Sequence, residues 1–236
     1  MSLGTCARTL GLVVGLGQLL AACAQNTPDR LAFPLPTVRF AISSTSPEWR
    51  EVPENVAIPT MVCGGPQALA TDCCSPPPPM PAFDCQQVPV ACDPASNFCA
   101  LTFDVEVGSQ VDLVAQVAEV AAVDGRVFTS VSLLSLGTSS SDVRALDIRS
   151  ADLYVAPGDA TGSANPAAIL LAPVSLASGT TPAVPSPEGQ QAFASFARDY
   201  RAPFSLWLST HIVVPNGSTP TGTVTFDVNG RAEALY

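Results

Sequence analysis

The stretch Phe204-Ser205-Leu206-Trp207-Leu208-Ser209-Thr210-His211-Ile212-Val213-Val214 decides the fold. Its even positions Phe204, Leu206, Leu208, Ile212 and Val214 are apolar, and Ser205, Trp207, Ser209 and His211 occupy the odd ones. A period of two is the mark of a β-strand with one buried face. The run Thr223-Val224-Thr225-Phe226-Asp227-Val228 alternates in the same way. Pro215-Asn216-Gly217 begins a turn between the two runs, so the sequence predicts that they pair as a hairpin.

Working outward, residues 37–42 place Val38, Phe40 and Ile42 on one face, and residues 99–107 do the same with Cys99, Leu101, Phe103, Val105 and Val107. Residues 127–136 and 144–155 are rich in Val, Leu, Ile and Thr and read as strands. In the latter, Leu146 and Ile148 are out of phase with Leu153 and Val155, which predicts a bulge near Ser150. Residues 169–176 form another strand, and Pro173 suits it to an edge.

Two helices are expected. One covers residues 110–123, where Ser109 and Asp112 have capping-box spacing and Val114, Val117 and Ala121 recur at helical intervals. The other opens at Ser186-Pro187-Glu188 and carries Phe193, Phe196, Ala197 and Tyr200 on one face. Short strands with helices confined to connections predict a mainly β fold, a β-sandwich, as one domain over residues 37–236. It resembles immunoglobulin-like modules in strand count and spacing only, because the Cys-Trp-Cys hallmark is missing.

Cys63, Cys73, Cys74, Cys85, Cys92 and Cys99 gather in residues 59–99, among Gly64, Gly65 and the proline run 76–79. An even set in one segment reads as a disulfide framework holding a loop insertion. Adjacent Cys73 and Cys74 do not suit each other geometrically, so each is expected to bond elsewhere. Zinc is disfavoured, since there is no C-x-x-C pair and the single histidine, His211, is remote. The prolines favour a short polyproline II stretch that stiffens the loop.

The first residues read as an export signal: Arg8, an apolar run over residues 10–20, then Ala21 and Ala22. The run is shorter than the roughly 20 residues a spanning helix needs. Leu20-Ala21-Ala22-Cys23 resembles the lipobox of bacterial lipoproteins. That resemblance implies cleavage before Cys23, a diacylglyceryl group on its thiol and an acylated amino terminus. Several chains together anchor a protein stably, whereas one holds only marginally. Residues 1–22 are then the signal, residues 23–36 a tether, and the domain is held at the outer membrane or cell surface, facing periplasm or exterior. The competing reading takes Ala22-Cys23-Ala24 as an A-x-A site for ordinary secretion.

A formal net charge of -10, with no lysine in the chain, excludes several functions. Nucleic acid is not an expected partner. An acidic surface without a basic tail also argues against docking on anionic headgroups by charge, leaving the lipid on Cys23 as the link to the membrane. Schiff-base chemistry, a phosphate-binding loop of the G-x-x-x-x-G-K type and an S-x-x-K nucleophile all require the missing lysine.

No catalytic residue, cofactor or metal is assigned. His211 shares the polar face of its strand with serines, but no G-x-S-x-G elbow is present. Asp142, Asp147 and Asp152 do not follow EF-hand spacing and read as a solvated face. The sequence therefore predicts a non-enzymatic binding or structural role for an envelope partner, with Trp207 the exposed candidate for contact. The alternative is a secreted hydrolase that uses two carboxylates on polysaccharide, chemistry that leaves no local motif.

Overall fold

A computed structural model describes residues 29–45, 73, 90–93, 95–120, 128–215 and 220–236. The described chain is mainly β: two five-stranded antiparallel sheets with apolar faces turned toward each other, sandwich-like. The strands are β1 (Arg30–Pro34), β2 (Val38–Ser43), β3 (Val90–Asp93), β4 (Phe98–Val111), β5 (Ser130–Ser141), β6 (Ile148–Pro157), β7 (Ile169–Pro173), β8 (Gly179–Pro182), β9 (Phe204–Pro215) and β10 (Thr223–Leu235). The helices are α1 (Val114–Val120) and α2 (Pro187–Ala197).

The predicted 204–228 hairpin does not form. β9 lies at the middle of the second sheet, ordered β3-β4-β9-β6-β7, whereas β10 pairs with β1, β2 and β5 in the first. Alternation shows that one face of each strand is buried, but it does not name the neighbour. Phe204, Leu208, Ile212, Val224 and Phe226 all reach the core from opposite sheets. Residues 216 and 217 of the expected turn lie outside the described residues.

Residues 30–34, expected to be tether, are instead β1. Leu31 and Phe33 are buried, and five residue pairs join the strand to the end of β10. Two apolar side chains on one face outweighed the flanking prolines that read as a linker signal. The predicted 110–123 helix is also shorter at its start. Gln110 and Val111 pair with Ser205 and Phe204, and α1 opens only at Val114, whose N–H donates to Asp112 Oδ1 at 2.8 Å. Asp112, rather than Ser109, supplies the side-chain acceptor at the start of the helix.

Elsewhere some boundaries move by a few residues, but β5 and β10 run five and seven residues past their expected ends, and β3 and β8 had no counterpart among the expected strands. Residues 143–146 form a 3₁₀ turn before β6, and the register of β6 against β9 shifts between Ile148 and Ser150, where the phase change in the sequence placed a bulge. β7 is an edge strand ending at Pro173. α2 is capped by Ser186, whose Oγ accepts from Gly189 N–H at 2.9 Å, and it buries Phe193 and Ala197.

Cys73 and Cys99 form a disulfide with Cα atoms 5.6 Å apart, both buried in the core at the start of β4. Cys92, opposite Cys99 on β3, is disulfide-bonded too. Cys23, Cys63, Cys74 and Cys85, like the proline run, lie outside the described residues. No helix among the described residues is long and apolar enough to cross a membrane.

Candidate functional site

The outer face of the second sheet gathers most of the polar residues singled out in the sequence. Because β4, β9 and β6 run side by side, their outward residues fall into rows. Asp104, His211 and Ser150 make one row, Glu106, Ser209 and Asp152 the next, and Gly108, Trp207 and Tyr154 a third.

In the first row, His211 Nδ1–H donates to Asp104 Oδ1 at 2.8 Å. The side chains remain 45% and 65% exposed, so this contact is screened by water and contributes little to stability. No hydrogen bond joins Ser150 to His211. The row has the residue types of a Ser-His-Asp relay, but its carboxylate is solvated and its serine is not held against the imidazole, which leaves the nucleophile unactivated.

In the second row, Glu106 is engaged by the β6–β7 loop. Ser163 N–H donates to its Oε2 at 3.0 Å and Ser163 Oγ–H to its Oε1. The same loop is fixed at its start, where Ser205 Oγ–H donates to Gly158 C=O at 3.3 Å. Ser205 is buried although it is on the outward face, because this loop covers it. Asp152 is held above the ordinary carboxylate range by burial. Burial first, then the negative charges of Asp152, Glu106 and Asp104, push the neighbouring Tyr154 phenol upward.

Trp207, expected to be exposed, is half-buried in the third row. Its six-membered ring lies across β4 at Gly108. A Cβ added there would fall 2.7 Å from Cη2 and Cζ2 and 2.8 Å from Cε2, so only glycine admits the ring. Its Nε1–H is buried without a hydrogen-bond partner among the described residues. The indole covers a glycine gap in the sheet, which is a packing role beside any contact role.

Of the three aspartates considered for calcium, Asp142 and Asp147 bracket the 3₁₀ turn with φ of 51° and 52°, whereas Asp152 belongs to the outer face of β6. Among the described residues, no three His, Cys, Asp or Glu side chains are grouped to hold a metal ion. A small apolar cavity of about 20 Å³ lies between the sheets, lined by Leu35, Val111, Leu133, Phe193 and Phe204 among others, with Asn229 its polar neighbour. These rows were not visible in the sequence, since Asp104 and His211 meet only through strand register across 107 residues.

No family model matches the chain, and no curated protein matches it in sequence. Among solved structures, it is similar to a chain titled Desmodium yellow mottle tymovirus, with 10% identity over 100% of this chain and 96% of that one. The TM-score is 0.29, too low to inform fold or function.

Proposed function

We propose that this chain is a membrane-anchored lipoprotein of the bacterial envelope or surface, with a non-enzymatic binding or structural role. The observation that carries the reading is Leu20-Ala21-Ala22-Cys23, which places the lipid-accepting cysteine seven residues before β1. Lipid on Cys23 supplies the attachment, and the sandwich is the part presented to an envelope or extracellular partner. The lone Asp-His pair is solvated, and no activated nucleophile adjoins it, so the outer face supports contact better than turnover. Metabolic labelling of the host with a palmitate analogue tests the anchor. Wild-type chain is expected to take up label and stay with membranes, and Cys23→Ala to lose both. A soluble, unlabelled wild-type chain beginning at Gln25 would overturn the reading.

One observation favours a second reading, a carboxylate hydrolase acting on polysaccharide. Asp152, raised by burial, and Glu106 flank Ser209 with their Cα atoms two strand spacings apart, about 10 Å. A raised acid facing a second carboxylate is the pattern of acid–base pairs. This reading expects turnover on an envelope glycan panel that Asp152→Asn abolishes. Absence of turnover by the wild-type protein removes it.

A further inference from the structure

Resting on the anchor reading above, we infer that the sandwich has a fixed polarity on the membrane: the pole carrying Arg30 faces the bilayer headgroups. Seven residue steps separate Cys23 from Arg30, and an extended chain spans at most about 3.6 Å per residue, so Arg30 stays within ~25 Å of the lipid. Arg30 is not loosely attached. It pairs with Leu235 at the end of β10, and its guanidinium donates to Glu233 at 3.2 Å.

The topology then assigns every other element to a pole. Thr129 N–H donates to Leu235 C=O, Phe128 N–H to Arg198 C=O, and Tyr236 N–H to Asp29 C=O. The end of α2, the turn Asp199–Ala202 and the start of β9 therefore share the pole of Arg30. At the other end of β10, Gly222 lies beside Ala145, and Ser44 N–H donates to Gly222 C=O. β10 has 13 residues, so the two poles are separated by about 40 Å. The chain leaves β2 at Ser43 and re-enters at Val90 near this second pole, where Cys73 is bonded to Cys99.

Charge gives the pole its occupant. Arg201 is paired with Asp199, and Arg30 with Glu233. Exposed Arg198 donates Nε–H to Phe128 C=O and has no carboxylate in ion-pair range among the described residues. Among the described residues its terminal Nη groups meet no carboxylate, and they are the groups offered to headgroup phosphates. Asp29 also lies here, so the pole is close to neutral rather than basic, and the acyl chains supply affinity while Arg198 biases orientation. The pole with Cys99 and its bond to Cys73 is thereby turned outward, toward partners.

The test uses the lipidated full-length chain in phosphatidylethanolamine–phosphatidylglycerol vesicles with an energy-transfer acceptor on the headgroups. A donor dye on a clickable residue replaces either exposed Ala202 at the inner pole or exposed Thr221 at the outer one. Transfer from position 202 is expected to exceed that from 221 about twofold or more, given the ~40 Å separation. Arg198→Glu is expected to narrow the difference, and an unchanged ratio in that variant overturns the role of Arg198. Equal or reversed transfer in protein that co-sediments with vesicles overturns the polarity. Failure of the wild-type chain to co-sediment overturns the anchor reading itself.

Discussion

Asp93 ends β3 and is almost fully buried, yet it carries a turn. Burial by itself raises its carboxyl, but Ser96 Oγ–H at 2.8 Å, Ala95 N–H at 3.0 Å and the nearby Arg149 guanidinium outweigh that and hold it below the ordinary carboxylate range. Asp93→Asn should cost about 1–3 kcal/mol in denaturant unfolding at neutral pH, since it removes the charge and one acceptor. The folded state releases this proton more readily than the unfolded state, so the stabilisation is present above the unfolded carboxyl range. It is lost as pH falls through and below that range, about pH 4. The difference in midpoint between wild type and variant is therefore expected to shrink on acidification below pH 4. Nothing near Asp93 in sequence announced this, since the turn became visible only when β3 paired with β4.

Local signals were strongest where an element is specified by its own residues. The Ser186-Pro187-Glu188 opening of α2 is legible in its own residues, since serine caps and proline occupies a position whose N–H needs no partner, although Ser186 Oγ–H also donates to Leu170 C=O of β7 at 2.7 Å. What the sequence did not disclose is why Gly189 follows. A Cβ there would meet Leu170 C=O at 2.5 Å and Leu171 Cα at 2.7 Å, so the first turn of α2 sits directly on β7. Gly189→Ala should destabilise by about 1–3 kcal/mol, as overpacking does, despite alanine being the better helix former. A thermal melt that rises in this variant would contradict the close contact. The mispredicted hairpin has the opposite origin: two strands of correct phase, the second expected seven residues too short, were joined by a plausible turn, and only the packing of two sheets separated them.

Across the whole molecule, the Cys73–Cys99 bond closes 26 residues of chain onto the core. Chain entropy assigns such a closure about 3 kcal/mol. Replacing both cysteines by alanine is expected to lower unfolding free energy by roughly that amount, read from denaturant midpoints without reductant. An unchanged midpoint would mean that the bond at Cys92 restrains the segment alone. Strand phases, the second helix, the bulge and the edge at Pro173 are legible in the chain alone, because each follows from the residue's neighbours along it. The lipobox resemblance and the missing lysine chemistry are legible there too. Only the tertiary structure decided which strands are neighbours, and with them the rows Asp104–His211–Ser150 and Glu106–Ser209–Asp152. Burial of one face fixes a strand's phase, whereas its partner and register depend on how the ten described strands share one core.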